Sequence, residues 1–258
     1  MRLLGLSFLL LLGAASAQPV GKGDDFVNIQ IWGGVPVKPG ELPSTVYIRG
    51  RSYACTGSLI KPDVVLTAAH CVESSGVTIR ANSLSASSGG QVVRVTRGLQ
   101  HENYRRNQDL KYDVGLLFLA SSVQNAMPIK ISPDAPKEGD IITAAGWGVT
   151  ESQNTSDKLL KVDLKVGGDG VCGRNYPDWG GLAGPHICYQ PVRGKGICYG
   201  DSGGPAYKVI GGTNYILGVS SFISKDDCGG ASTIGYFTRL GYHLDWIKRN
   251  AGVSATQE

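Results

Sequence analysis

The 258-residue chain is 41% hydrophobic and 18% charged, with a formal net charge of +4. These values suit one large or two small globular domains and exclude a disordered chain. Basic residues are dispersed without a block of like charge, which argues against nucleic acid as a partner.

The chain opens with Met1-Arg2, an apolar run from Leu3 to Leu12, and Ala15-Ser16-Ala17. A basic start, a short apolar core and an Ala-x-Ala end predict a secretory signal peptide over residues 1–17. The run is too short to span a bilayer, and no later segment is long and apolar enough, so a secreted protein with no membrane partner is expected. Residues 18–30 are short, polar and glycine-containing and read as a pro-segment. The 37 glycines point to many tight turns. Short β-rich runs follow at 45–48, 64–67, 91–95, 114–119, 141–145, 159–166, 215–219 and 235–239, separated by Gly, Pro, Asn and Ser clusters. Strands at this spacing predict a sandwich or barrels. Residues 124–139 carry Pro128, Pro133 and Pro136 and read as a linker between two β units. A single helix is expected over 241–250, where Tyr242, Trp246 and Ile247 share a face and Lys248 and Arg249 favour the last turn.

Six cysteines follow the leader: Cys55, Cys71, Cys172, Cys188, Cys198 and Cys228. An even count in an exported chain predicts disulfides, with fifteen connectivities open by counting alone. Zinc is the competing reading, but there is no Cys-x-x-Cys pair.

Two segments carry chemistry: Gly200-Asp201-Ser202-Gly203-Gly204-Pro205 and Thr67-Ala68-Ala69-His70-Cys71. A serine hydroxyl is a weak nucleophile and needs a base beside it, for which His70 is the candidate. A third group must orient that base, and Asp113, at the head of the apolar run Val114 to Leu119, can hold a carboxylate in a partly dry place. The bland alternative for the glycines is an ordinary tight turn; beside His70 and Asp113 it loses most of its weight.

With these residues the chain resembles the trypsin/chymotrypsin family of serine proteases, which orders its triad His, Asp, Ser along the chain. Ile31-Trp32-Gly33-Gly34 resembles the family's mature N-terminus, Cys55 to Ile60 the strand before the histidine, and Gly146-Trp147-Gly148 its Gly-Trp-Gly segment. The resemblance covers Ile31 to the last helix. It implies an all-β fold of two packed antiparallel six-stranded barrels with a C-terminal α-helix and the active site in the cleft between them. The protease domain is residues 31–258, with barrels at about 31–130 and 131–240 and a helix at about 241–250. It implies the pairs Cys55–Cys71, Cys172–Cys188 and Cys198–Cys228. It assigns His70, Asp113 and Ser202 to catalysis, and the N–H groups of Gly200 and Ser202 to an oxyanion hole. Ser221 is the serine expected to hydrogen-bond the catalytic Asp.

For activation the resemblance pairs a new Ile31 amine with Asp201. Here the chain departs from the family: the preceding residue is Gln30, not Arg or Lys, and Trp32 replaces a small aliphatic residue. The substrate pocket falls to Gly196, six residues before Ser202, with Ile197, Ser221, Ile223 and Gly235 around it. No acid stands at its floor, so an uncharged, small to medium apolar P1 residue is expected. Gly196 and Gly235 leave depth for a larger Leu, Phe or Tyr as runner-up. Asp226 and Asp227 are read as solvated.

No cofactor or metal is implied, since the loop from Ala81 to Gln91, where some relatives bind calcium, has no Asp or Glu. Asn154-Thr155-Ser156 is a glycosylation sequon. His101, His186 and His243 match no motif and read as surface or structural. Protein or peptide substrates, an activating protease and protein inhibitors are the expected partners of a monomer. A non-catalytic binding protein on the same fold is the alternative, and an esterase is disfavoured by triad order and by the strand-rich chain.

Overall fold

The computed structural model describes residues 31–252 except 74, 107 and 109. The expected signal peptide and pro-segment lie outside the described residues. After a two-residue strand β1 (Val35–Pro36) come β2 (Thr45–Arg49), β3 (Ala54–Lys61), β4 (Val64–Thr67), β5 (Thr78–Ala81), β6 (Gln91–Gln100) and β7 (Gly115–Leu119). Strands β2 to β7 close into a six-stranded barrel in the order β2-β3-β4-β7-β6-β5, antiparallel throughout. The period-2 alternation of a strand sends Val46 and Ile48 of β2 inward, where they meet Leu59, Val65, Ile79, Val93, Val95 and Leu117.

The second half contains β8 (Lys130–Ile131), β9 (Ile141–Gly146), β10 (Leu160–Lys165), α1 (Cys172–Asn175), β11 (His186–Cys188), β12 (Pro205–Ile210), β13 (Thr213–Ile223), β14 (Gly235–Arg239) and α2 (Leu244–Ala251). With β1 these strands form an eight-stranded sheet whose main path runs β1-β10-β9-β12-β13-β14-β11, with β8 pairing β13 in parallel. The run from β10 to β11 does hold six strands. Among the described residues its ends meet through a single bridge, Val166 to Tyr189, one residue past the ends of β10 and β11. The two-residue strand β8 lies within the segment 124–139.

Leu160, Val162 and Leu164 alternate into the core of this second unit with Ile142, Ile187, Leu217 and Phe237. Between the two units Leu66, Val114, Leu116, Trp147, Tyr207 and Ile216 form one shared cluster. Helix α2 inserts Trp246 and Ile247 into it. The helix begins three residues later than expected because Leu240–Tyr242 is a tighter 3₁₀ turn. The shared cluster fixes the two units against each other, and the chemistry-bearing loops meet above it.

Candidate active site

His70 sits in a 3₁₀ turn, Ala69–Cys71, directly after β4. A disulfide between Cys55 in β3 and Cys71 ties that turn to the barrel. Asp113 precedes β7 and is fully buried. Its carboxylate receives His70 Nδ1 at 2.8 Å, the His70 backbone N–H at 3.0 Å and the Ser221 hydroxyl at 2.6 Å. Burial pushes the Asp113 pKa up, but the adjacent His70 ring and these three donors outweigh it and hold the carboxyl below its ordinary value. The carboxylate therefore stays charged, and His70 Nδ1 is its proton donor, leaving Nε2 to face the cleft.

Ser202 lies in the turn before β12. Its carbonyl accepts from Thr56 of β3 at 2.9 Å, which joins the loop to the first barrel. Within the turn Asp201 N–H bonds Cys198, Gly203 N–H bonds Ser220 and Gly204 N–H bonds Asp201. Gly200 adopts φ +90°, a conformation that L side chains rarely take. Its Cα faces Gly148, so a Cβ there would come 3.0 Å from that backbone. Ser202 and His70 line two adjoining cavities. One, about 740 Å³, runs past Tyr53, Cys55, Glu73, Val149, Thr155 and Gly200; the other, about 420 Å³, past Ile197, Cys198, Ser220, Phe222 and Ile223.

The smaller cavity holds three of the expected pocket residues: Ile197, Ser221 and Ile223. Gly196 and Gly235 are not on its wall. A third disulfide, Cys198–Cys228, joins the wall at Ile197 to the loop carrying Asp226 and Asp227, and a second, Cys172–Cys188, anchors α1 to β11. Asp226 is exposed, but not merely solvated: it accepts the Tyr199 hydroxyl at the pocket rim. Tyr199 and Arg106 line both cavities, and no motif in the sequence pointed to either.

Asp201 is entirely buried, accepting from Gly148 N–H at 2.8 Å and Cys198 N–H at 2.9 Å. Burial raises its pKa to about 7, with the two N–H groups opposing. Ile31 is also fully buried, in the core of the second unit with Ile197 and Tyr189. Trp32 bridges Gly196, and Gly33 N–H reaches the Glu151 carboxylate at 2.9 Å.

The three histidines without a motif are structural. His186 Nε2 meets the Leu110 carbonyl at 3.1 Å, and His243 Nε2 meets that of Lys111 at 2.7 Å. His101 stacks on Trp246, 4.9 Å between ring centroids. Asn154 is exposed in the loop whose Thr155 lines the larger cavity. In the 81–91 loop the Arg80 guanidinium donates to the carbonyls of Ala86, Ser87 and Gly89, so the chain supplies its own cation there. Among the described residues, Cys55, Cys71 and His70 lie close enough to suggest a metal site, but both sulfurs are in a disulfide.

A family model described as Trypsin matches residues 31–247. The chain belongs to the trypsin family of serine proteases. It is 33% identical over 227 residues to trypsin Blo t 3 of Blomia tropicalis, covering 81% of this chain and 81% of that one. It is 33% identical over 239 residues to brachyurin of Leptuca pugilator, covering 87% and 100%. Neuropsin, a serine protease expressed in the limbic system of mouse brain, superposes with a TM-score of 0.75 at 27% identity, covering 84% of this chain and 98% of that one. The chain is thus a serine endopeptidase, and its fold and cleft are those of the trypsin family.

Proposed function

We propose that the protein is a secreted endopeptidase, made as a precursor that is activated by cleavage after Gln30, and that it cuts after uncharged apolar P1 residues. Residues 1–17 would direct export and residues 18–30 would form the pro-segment. The carrying observation is the buried Asp113 carboxylate held by His70 and Ser221 beside Ser202, at a cavity lined by Ile197, Phe222 and Ile223.

The mechanism follows from that arrangement. Ser202 Oγ attacks the scissile carbonyl while His70 Nε2 takes its proton, and Asp113 steadies the resulting imidazolium. The N–H groups of Gly200 and Ser202 receive the developing oxyanion. Both residues line the cleft, and the intervening N–H groups are engaged within the turn. His70 then protonates the leaving amine, the Ser202 acyl ester is left, and water repeats the sequence to release the acid. The new Ile31 ammonium would pair with Asp201, which otherwise holds a buried carboxylate between two N–H groups. A sugar on Asn154 would stand at the rim of the larger cavity.

In support of the P1 preference, Ile197, Phe222 and Ile223 line the smaller cavity, and a charged P1 group would lose its hydration against them. Two measurements test the reading on the form beginning at Ile31. Ser202→Ala should abolish labelling by an active-site-directed phosphonate and reduce kcat by about a millionfold; retained labelling rejects Ser202 as nucleophile. A P1-varied peptide panel should be cleaved fastest after apolar residues; fastest cleavage after Arg or Lys rejects the pocket reading.

A further inference from the structure

The glycines at 196 and 235 suggest a deep, open slot beside Ser202. The structure places the Tyr189 phenol in the space they would leave. A Cβ on Gly196 would lie 2.5 Å from the Tyr189 hydroxyl oxygen, and one on Gly235 would lie 2.5 Å from its ring Cε1. The Ile197 side chain lies across Gly235 from above, with its Cγ1 2.8 Å from the same Cβ position. Tyr189 is 1% exposed and its ring faces Phe237, 6.3 Å between centroids. Its hydroxyl accepts the Ile197 N–H at 3.2 Å.

We propose that Tyr189 is a specificity-determining residue: its phenol is the floor of the P1 pocket and limits it to short side chains. This rests on the apolar P1 reading above and decides between its two forms, small against large. The chemistry calls for a tyrosine rather than a phenylalanine. A phenyl ring would fill the same space but leave the Ile197 N–H without its acceptor. A small residue would leave a void roughly the size of a ring beside Gly196 and Gly235 and against Ile197, the residue of this group that lines the cavity.

The first measurement needs no variant. On the form beginning at Ile31, kcat/KM is measured across peptides whose P1 side chain lengthens one methylene at a time, then carries Phe and Tyr. A floor predicts a rise through short side chains followed by a fall of about tenfold or more for the longer ones, the scale one misfitting methylene produces in an apolar pocket. A rise that continues through Phe overturns the proposal. The second compares Tyr189→Ala and Tyr189→Leu after active-site titration with a phosphonate, which counts only folded enzyme. The ratio of Phe to Ala cleavage should rise by about ten- to a hundredfold in Tyr189→Ala and by less in Tyr189→Leu. An unchanged ratio in enzyme that titrates normally overturns the floor while leaving the apolar reading intact. Fastest cleavage after Arg or Lys by the unmodified enzyme overturns both.

Discussion

At the scale of single residues, the site is a problem of keeping one buried charge paired. Asp113 has no exposure, and a buried carboxylate is tolerable only with partners. Three donors meet it: His70 Nδ1, the His70 backbone N–H and the Ser221 hydroxyl. Asp113→Asn keeps the shape but presents an amide to His70 Nδ1, which forces the wrong tautomer. The expected loss is about 10⁴ in kcat with KM little changed, as when this carboxylate is replaced in relatives of the family. Ser221→Ala removes one donor only. A hydrogen bond to a charged group is worth about 1.5–3 kcal/mol, so kcat should fall by about tenfold or somewhat more. Because the lost bond favoured the ionised form, the Asp113 pKa should rise in this variant; a carboxyl NMR titration showing no upward displacement would show that Ser221 does not act on Asp113. The residues of this network were legible in the sequence because each sits in a distinctive context: glycines around Ser202, a cysteine beside His70, an apolar strand after Asp113. Tyr189 was not legible. Nothing in Ile187-Cys188-Tyr189 says that its ring will turn under two glycines of distant segments; that contact exists only once β11 lies beside β14.

At the scale of elements, the turn that delivers Asp113 is held from the opposite unit. His186 in β11 and His243 at the start of α2 meet the carbonyls of Leu110 and Lys111, and Thr238 of β14 donates to the Asp113 carbonyl at 2.9 Å. These bonds cross the boundary between the two sheets, so the acid of the triad depends on both. Burial lowers the His243 pKa to about 4, with the Lys111 carbonyl opposing and His101, His186 and Arg239 adding to the lowering. The folded protein therefore prefers His243 neutral, whereas the unfolded chain takes up a proton near pH 6.5. Its stabilising contribution is complete above about pH 6.5 and is lost as pH falls to about 4, up to about 3 kcal/mol. His243→Gln keeps a donor near the Nε2 position without a titrating ring. Its melting temperature should lie below that of the parent at pH 7 but fall less between pH 6.5 and 4; parallel curves would remove His243 from the acid response. The strands themselves were read from local pattern with mixed reach. Residues 64–67 and 235–239 were bounded as found, because apolar and β-branched runs there end at turn-forming residues or polar breaks. Strands β1, β5, β8, β11 and β12 are not among the runs that local pattern picks out: β1, β8 and β11 have only two or three residues, and β12 follows straight on from the glycine-rich serine loop.

At the scale of the whole molecule, the first barrel closes by regular ladders and the second unit by one bridge, a difference invisible to any local pattern because it depends on where short strands end. The less tightly closed unit is also the one that carries Asp201, Ile31, Ile197 and Ile223, so the proposed activation contact and the proposed P1 pocket share one body. Within it Asp201 is the costly group. Its pKa is raised by burial from 3.8 to about 7, so the folded chain binds a proton there that the unfolded chain has released. For the uncleaved protein this group's effect is absent below about pH 4 and becomes progressively destabilising as pH rises to about 7, levelling off above it. The full penalty is about 4 kcal/mol. Cleavage after Gln30 would supply the Ile31 ammonium as a counter-charge, and in that form the penalty should vanish or reverse until the amine itself loses its proton. The two forms, each with Ser202→Ala to prevent self-digestion, can be compared by thermal unfolding from pH 4 to 8. The precursor should lose stability across that range relative to its Asp201→Asn variant, and the cleaved form should gain on its own Asn variant. If Asp201→Asn changes the pH dependence of both forms alike, the Ile31 amine is not the partner of Asp201, and activation must act through another contact.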